Sequence, residues 1–396
     1  MKVAFLTSGG IAPCLSAAIG KLTEIYLQHD PGIEIIGYLN GYKGLLKGKS
    51  IKIPGLLKNN IKKFYYFGGS PLGNSRVKLT NINDCIEKGY IKKSENPLEV
   101  AAKQLVKDDV TILHTIGGDD TNTTAAELSR YLKENNYNLT VVGLPKTIDN
   151  DVFPITQTLG AWSAAEQGAI FFENIVNENT TSDRQLIIHE IMGRNCGWLA
   201  AATALEYRKK LNNNLFIPEL NIVKQKWDVH AIFLPEIEIN FEEECVRLKK
   251  IMDQYDCVNI FLSEGAGIET IIQENKKMGR EILKDAFGHV RLDDLNPGKW
   301  FAKELGLKLQ ANKVLVQKSG YFARSAKANK KDLDLIFETC IHAVKNAING
   351  INGVIGFDET NNNKIGCIDF HKIKGGKKFD IHQKWYQEMM EEIHAI

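Results

Sequence analysis

The sequence predicts an α/β protein built as two Rossmann-like lobes, each a mostly parallel sheet flanked by helices, with a cleft between them. Three observations predict it. Apolar runs of strand length alternate with segments of helical period along most of the chain. Segments rich in glycine and acid fall directly after those runs, at the carboxyl ends of strands, where open α/β sheets bind ligands. At 396 residues the chain is long for one core and suggests two domains of ordinary size.

In chain order, Val3–Leu6 reads as a strand, residues 7–13 (TSGGIAP) as a loop, and Ser16–His29 as a helix stopped by Asp30, Pro31 and Gly32. Ile33–Tyr38 is the next strand and ends at the Asn40-Gly41 turn. Val110–Ile116 is a buried strand followed by Gly117-Gly118-Asp119-Asp120, after which Thr121 or Asn122 caps a helix reaching Tyr131. Leu139–Leu144 is another strand, followed by residues 145–151 (PKTIDND) and a helix over Leu159–Val176. Leu186–Ile191, a loop at 192–197 and a helix over Trp198–Tyr207 repeat the pattern. Ala231–Leu234 and Val258–Leu262 are apolar runs, each followed closely by a glutamate, Glu236 or Glu264. Lys313–Gln317 is a strand running into Lys318, Ser319, Gly320 and Tyr321, and a strong helical period covers Leu333–Ile348. Gly353–Phe357 and Ile365–Phe370 read as a late hairpin, and a helix closes the chain. The segment 271–309 shows no clear assignment.

Composition narrows the classes of function. With 43% apolar and 25% charged residues, the chain can bury a sizeable core without staples. A formal charge of +2 gives no reason to expect nucleic acid or a membrane surface as partner. The Lys- and Asn-rich stretches at 58–63, 212–214 and 361–363 read as solvated turns. Seven cysteines, none in CxxC spacing, signal neither a disulfide framework nor a zinc site and fit a reducing compartment. The N-terminus runs straight into a glycine loop, so it reads as a first strand and not as a signal peptide. No apolar stretch reaches the ~18 residues of a membrane helix. The expected location is the cytoplasm.

The strand ends carry the chemistry. Gly9 and Gly10, between a strand and a helix, let backbone N–H groups approach an anion. Residues 68–76 (GGSPLGNSR) form a second glycine loop ending in Arg76, a guanidinium able to grip phosphate in two places. Asp119 and Asp120 are adjacent carboxylates that would repel without a cation nearby, and Mg²⁺ is suited by one or two such carboxylates plus phosphate oxygens. Asp149 and Asp151, two apart, face one side of an extended segment. Lys146 stands near them as an ammonium able to neutralise phosphate charge. Further along, Met192-Gly193-Arg194, Glu264, Lys318, Tyr321 and Arg324 would suit a sugar phosphate, with glutamate accepting from hydroxyls and the cations holding phosphate. His114, inside a strand, reads as a satisfied core histidine, and the cysteines as core filler.

Together these segments resemble the phosphofructokinase family, and within it the pyrophosphate-dependent type. The resemblance runs nearly end to end and rests on GGDD at 117–120, PKTIDND at 145–151, MGR at 192–194 and KSGYFAR at 318–324. The stretches Asp285–Val290 and Asn296–Trp300 are also similar to the pyrophosphate-using branch. The resemblance implies a donor lobe at 1–158 plus about 323–396 and a sugar-phosphate lobe at about 159–322. It implies phosphoryl transfer from pyrophosphate to the 1-hydroxyl of fructose 6-phosphate, with Mg²⁺ as cofactor and a homodimer or homotetramer as assembly. Gly10, Arg76 and Lys146 would contact pyrophosphate, and Asp119 would hold Mg²⁺ with help from Asp151. Asp149 would be the general base and Thr147 would position the transferred phosphoryl; Asp120, Lys146 and Arg194 complete the catalytic set. Thr147, Ile148, Asp149, Met192, Gly193, Arg194, Glu264, Lys318, Tyr321, Phe322, Ala323 and Arg324 would bind fructose 6-phosphate.

ATP-using members have glycine at the positions of Asp120 and Lys146. A carboxylate at 120 would fill and charge the space of an α-phosphate and so exclude ATP. The chain departs from the pattern at Ile11, at Ser16, and at Gln185 with Arg184 beside it, where the family supplies an intersubunit arginine. An ATP-dependent phosphofructokinase and a non-catalytic regulatory subunit are the alternatives. The catalytic positions are intact, which disfavours the second. A nicotinamide dehydrogenase is a weaker reading still, because no GxGxxG follows the first strand.

Overall fold

The computed structural model describes residues 1–53, 60–279, 282 and 292–396. They divide into two compact units, Met1–Ser163 with Arg324–Lys377, and Ala164–Ala323 with Lys378–Ile396. The strands are β1 (Lys2–Thr7), β2 (Glu34–Tyr38), β3 (Ser50–Lys52), β4 (Ile112–Gly117), β5 (Thr140–Pro145), β6 (Gln185–Ile191), β7 (Ala231–Phe233), β8 (Cys257–Ser263), β9 (Lys313–Lys318), β10 (Gly353–Asp358) and β11 (Lys364–Ile368).

The first unit holds a seven-stranded sheet in the order β11-β10-β5-β4-β1-β2-β3. Its centre is parallel, and only the edge strands β3 and β11 run antiparallel to their neighbours. Every residue of β4 is buried, as expected of a parallel strand covered on both faces. The helix Asp119–Glu134 packs on β4 and β5, and the helices Leu15–His29 and Lys330–Ile348 pack on each other. His114 lies within this core and its Nε2 shares a 2.7 Å hydrogen bond with the Tyr26 hydroxyl. Burial pushes its pKa down to about 3, so it is a neutral core histidine.

The second unit holds a four-stranded, wholly parallel sheet in the order β7-β8-β6-β9. Leu186, Ile188, Val258, Ile260 and Leu262 from its strands meet Leu248, Met252, Phe301 and Leu305 from flanking helices in one core. The segment 271–309 resolves into the helices Ile268–Lys277, Leu292–Leu295 and Pro297–Lys308. The Asp285–Val290 stretch and residues 58–59 lie outside the described residues.

One boundary differs from the sequence reading. Residues 378–396 were expected with the first lobe, but they belong to the second unit. The reason is a set of polar anchors: Arg208 Nη1 reaches Glu392 Oε2 at 2.8 Å, and the Phe379 amide donates to Glu236 Oε1 at 2.9 Å. The junction at Ser163 is also set by hydrogen bonds. The buried Asp332 accepts from the amides of Gly160 at 3.0 Å and Ser163 at 2.6 Å, which ties the start of the helix Ala161–Ile175 to the first unit. Helices Ile82–Glu87 and Pro97–Lys107 and the three-residue edge strand β3 had no counterpart in the sequence reading. No helix among the described residues is long and apolar enough to cross a membrane. All seven cysteines are free thiols.

Candidate active site

The first unit gathers its polar groups where β1, β4 and β5 end. After β1 the chain turns through Gly9, whose φ of +79° is open to glycine at little steric cost. The loop 68–76 closes over this turn. Gly9 N donates to Ser75 O at 2.9 Å, Asn74 Nδ2 donates to the carbonyls of Gly9 and Gly10 at 3.1 and 3.3 Å, and Ser16 Oγ donates to Gly69 O at 2.9 Å. At Gly68 the two backbones approach so closely that a Cβ would lie 1.9 Å from the Ser325 carbonyl.

Two cations converge on Gly10. Lys146, from the segment after β5, is 4% exposed, and its Nζ donates to Gly10 O at 2.5 Å. Arg324 lies over the same residue, with Nη1 3.6 Å from where a Gly10 Cβ would stand. Burial, with a smaller contribution from Arg324, lowers the Lys146 pKa to about 8 against the opposing pull of Cys14, Asp149 and Asp119. An anion entering beside this ammonium would raise that pKa again.

Two carboxylates share a second focus. Asp119 begins the helix after β4, and a Cβ on Gly375 would stand 2.0 Å from its Oδ2, so only a glycine there leaves room for it. Burial raises the Asp119 pKa and neighbouring Asp120 adds to the rise. Asp151 is raised by burial and then by Asp119, against a hydrogen bond from Thr147. Two half-buried carboxylates raised in part by like charge would favour a cation. Among the described residues no third His, Cys, Asp or Glu joins them. That donor set fits Mg²⁺, which keeps waters and takes phosphate oxygens. Thr147 Oγ1 accepts from the Asp149 amide at 3.1 Å and so shapes the turn that carries Asp149. Ile148 is buried beneath that turn at 4% exposure.

In the second unit the candidate residues sit at the ends of β6, β8 and β9. Glu264 N donates to Ile191 O at 2.8 Å, which places Glu264 beside Met192 and Gly193. Gly193, at φ +128°, offers its carbonyl to Ser263 Oγ at 2.7 Å. A Cβ on Gly265 would stand 1.8 Å from the Arg194 carbonyl, so the two turns interlock through bare backbone. Past β9, Gly320–Ser325 is a short helix; Ala323 is buried, Tyr321 is 81% exposed, and the Phe322 ring lies 5.6 Å from that of Phe171. Lys318 pairs with Glu190 at 2.7 Å.

A protein-family profile described as Phosphofructokinase matches residues 2–347. The chain belongs to the phosphofructokinase family. It is 55% identical over 392 residues to the pyrophosphate–fructose 6-phosphate 1-phosphotransferase of Methylomonas methanica, covering 99% of this chain and 96% of that one. It is 51% identical over 392 residues to the protein of that name from Propionibacterium freudenreichii, covering 99% and 97%. Among solved structures, the pyrophosphate-dependent phosphofructokinase of Nitrosospira multiformis matches with a TM-score of 0.72 at 19% identity, covering 100% of this chain and 91% of that one. At that identity the likeness shows the two-lobed phosphofructokinase fold alone.

Within this phosphofructokinase the expected residues fall into separate groups. Lys146, Gly10, Asp119, Asp149, Asp151 and Thr147 line the strand ends of the first unit. Arg324, expected among the sugar-phosphate residues, has its guanidinium on the Gly10 turn of the first unit. Asp120 is 63% exposed in its side chain and pairs with Lys78 at 2.7 Å, so it stands at the rim, apart from the buried Lys146 ammonium. Arg76 is exposed. Arg184 is engaged by Asp253 at 2.7 Å and by the Gln310 carbonyl at 2.8 Å, and Gln185 is wholly buried in β6. Sequence reasoning missed Lys78, Asn74 and Glu190. Asn74 and Lys78 flank Arg76 and were within reach of a closer reading of that loop; Glu190 looked like one more strand residue.

Proposed function

We propose that this phosphofructokinase moves a phosphoryl group reversibly between pyrophosphate and the 1-hydroxyl of fructose 6-phosphate. The observation that carries the reading is the convergence of Lys146 and Arg324 on Gly10. Two cations over one glycine turn suit a compact, highly charged donor, and Lys146 occupies a position that ATP-using members leave to glycine. Asp120, at the rim beside Lys78, adds a charge that repels a nucleotide's α-phosphate.

Chemistry follows from positioning and charge. Asp149 takes the proton of the sugar 1-hydroxyl as that oxygen attacks phosphorus. Thr147 holds the turn bearing Asp149 and faces the transferred group. Lys146 and the Gly10 backbone stabilise the charge that develops on the leaving phosphate. Asp119 and Asp151 would hold Mg²⁺, which when bound neutralises charge on the phosphate oxygens. In the second lobe, Arg194, Lys318 and Tyr321 hold the sugar phosphate, Glu264 accepts from its hydroxyls, and Met192, Gly193, Phe322 and Ala323 shape the surface. Free thiols throughout suit a reducing cytoplasm. A homodimer or homotetramer is the proposed assembly, supported by Leu215 and Leu220, 85% and 69% exposed near one turn.

The test is turnover by the purified chain with Mg²⁺ and either donor. Fructose 1,6-bisphosphate should form with pyrophosphate and not with ATP. Equal or faster turnover with ATP would overturn the donor assignment.

A further inference from the structure

The proposed chemistry leaves one motif without a task, the Asn296-Pro297-Gly298 turn that opens the helix Pro297–Lys308. Its partner is Glu190. On the parallel pair β6 and β9, Glu190 stands directly opposite Lys318, and both lie at the carboxyl ends of their strands. Glu190 is 6% exposed, whereas the Lys318 side chain is 47% exposed. One carboxylate oxygen pairs with Lys318 Nζ at 2.7 Å, and the other accepts from the Gly298 amide at 3.0 Å. That amide belongs to the first turn of the helix, where N–H groups lack intrahelical partners and favour negative charge. Position 298 must be bare for this to happen: a Cβ there would stand 2.2 Å from Glu190 Oε2 and 2.8 Å from Val316 Cγ1. Asn296, at φ +46°, turns its Oδ1 to Lys318 Nζ at 3.4 Å.

We infer that Glu190 is a positioning residue for the sugar phosphate: with the Asn296–Gly298 turn it holds the Lys318 ammonium in place at the end of β9. The inference rests on Lys318 meeting the phosphate of fructose 6-phosphate. The countercharge is buried and the ammonium is not, so an arriving phosphate meets the cation first. A lysine is a flexible point charge with much rotamer freedom to lose. Fixing it before binding removes that loss from the binding step. Glu190 makes no contact with the reacting atoms, so its removal should weaken sugar-phosphate binding and leave the chemical step alone.

Glu190→Gln keeps an acceptor for the Gly298 amide and removes the negative charge that faces Lys318. It should raise KM for fructose 6-phosphate roughly 3–10-fold, with kcat and KM for pyrophosphate unchanged. On a Lys318→Met background the same substitution should change nothing further, because the group it positions is gone. Asn296→Gly, compatible with the positive φ, should raise the same KM about twofold and carries the test if Glu190→Gln does not fold. An unmoved KM in the variants that fold overturns the inference, as does an equal rise with and without Lys318. A wild-type chain without pyrophosphate turnover would instead sink the functional reading.

Discussion

Each lobe of this phosphofructokinase buries a cation, and the surroundings of the two differ. In the first lobe, Lys146 hydrogen-bonds a carbonyl, and its pKa is lowered to about 8 by burial. In the second lobe, Arg208 is held in a bidentate pair by Asp228 at 2.7 and 3.1 Å and by Glu392 at 2.8 Å. Burial works against the charge of Arg208, but those carboxylates outweigh it and raise its pKa. A buried charge with matched partners serves structure, because removing one partner strands the other. Among the described residues Lys146 has no such matched pair: its Nζ donates to a carbonyl, and in the proposed function a phosphate completes it. On the proposed function, the first lobe stores its instability at the donor site, as active sites do.

The largest effect expected is at Asp149. Asp149→Ala should lower kcat by about 10²–10⁴-fold with the fold retained, the loss typical of a general base; steady-state assay with circular dichroism checks it. Next is the pair of buried cations. Lys146→Met should cut kcat/KM for pyrophosphate by about 10²–10³-fold and at the same time raise the melting temperature. Arg208→Met should do the reverse to stability, costing about 3–5 kcal/mol by leaving the buried Asp228 with only the looser Lys224 pair at 3.8 Å. Thermal unfolding of both variants tests the contrast, and a shift of the same sign in both would break it.

The pH dependence sharpens the comparison. Protonated Lys146 in the free enzyme declines above about pH 8, so kcat/KM for pyrophosphate should fall on that side. Its folded pKa lies below the ordinary 10.5, so the unfolded chain binds the extra proton between those values. The penalty for burying the ammonium is present below about pH 8 and fades as pH rises toward 10.5. Stability of wild type relative to Lys146→Met should therefore recover over that window. Smallest is the rim: Asp120→Gly removes an exposed ion pair with Lys78 and should change stability by about 0–1 kcal/mol. Combined with Lys146→Gly it should still raise the ratio of ATP to pyrophosphate turnover, which a donor competition assay reads.

Much of the first lobe was legible because its signals are local. Apolar runs followed at once by GGDD or PKTIDND place carboxylates and a lysine at strand ends, and β4 and β5 do end at Gly117 and Pro145. The clamp on the Gly9–Gly10 turn was not legible, since Asn74 and Ser75 are more than sixty residues away along the chain. Neither was the lobe to which Arg324 contributes: its motif begins in β9 of one unit and its guanidinium lies in the other unit's turn. The C-terminal helix was placed in the wrong lobe for a related reason. Its affiliation depends on Glu236 and Arg208, which no period or spacing connects to it.

The sequence by itself determined the alternation of strands and helices, the positions of the glycine and acid turns, and the residue types gathered at the strand ends. These follow from periodicity and from chemistry carried within a few neighbouring residues. Tertiary structure decided how charged each group is and which partner holds it. Burial lowers the Lys146 pKa, burial with a like-charged neighbour raises Asp119 and Asp151, and Lys318 meets Glu190 because β6 and β9 pair in one register. Desolvation and charge–charge interaction depend on distance in space, which the order of residues does not state.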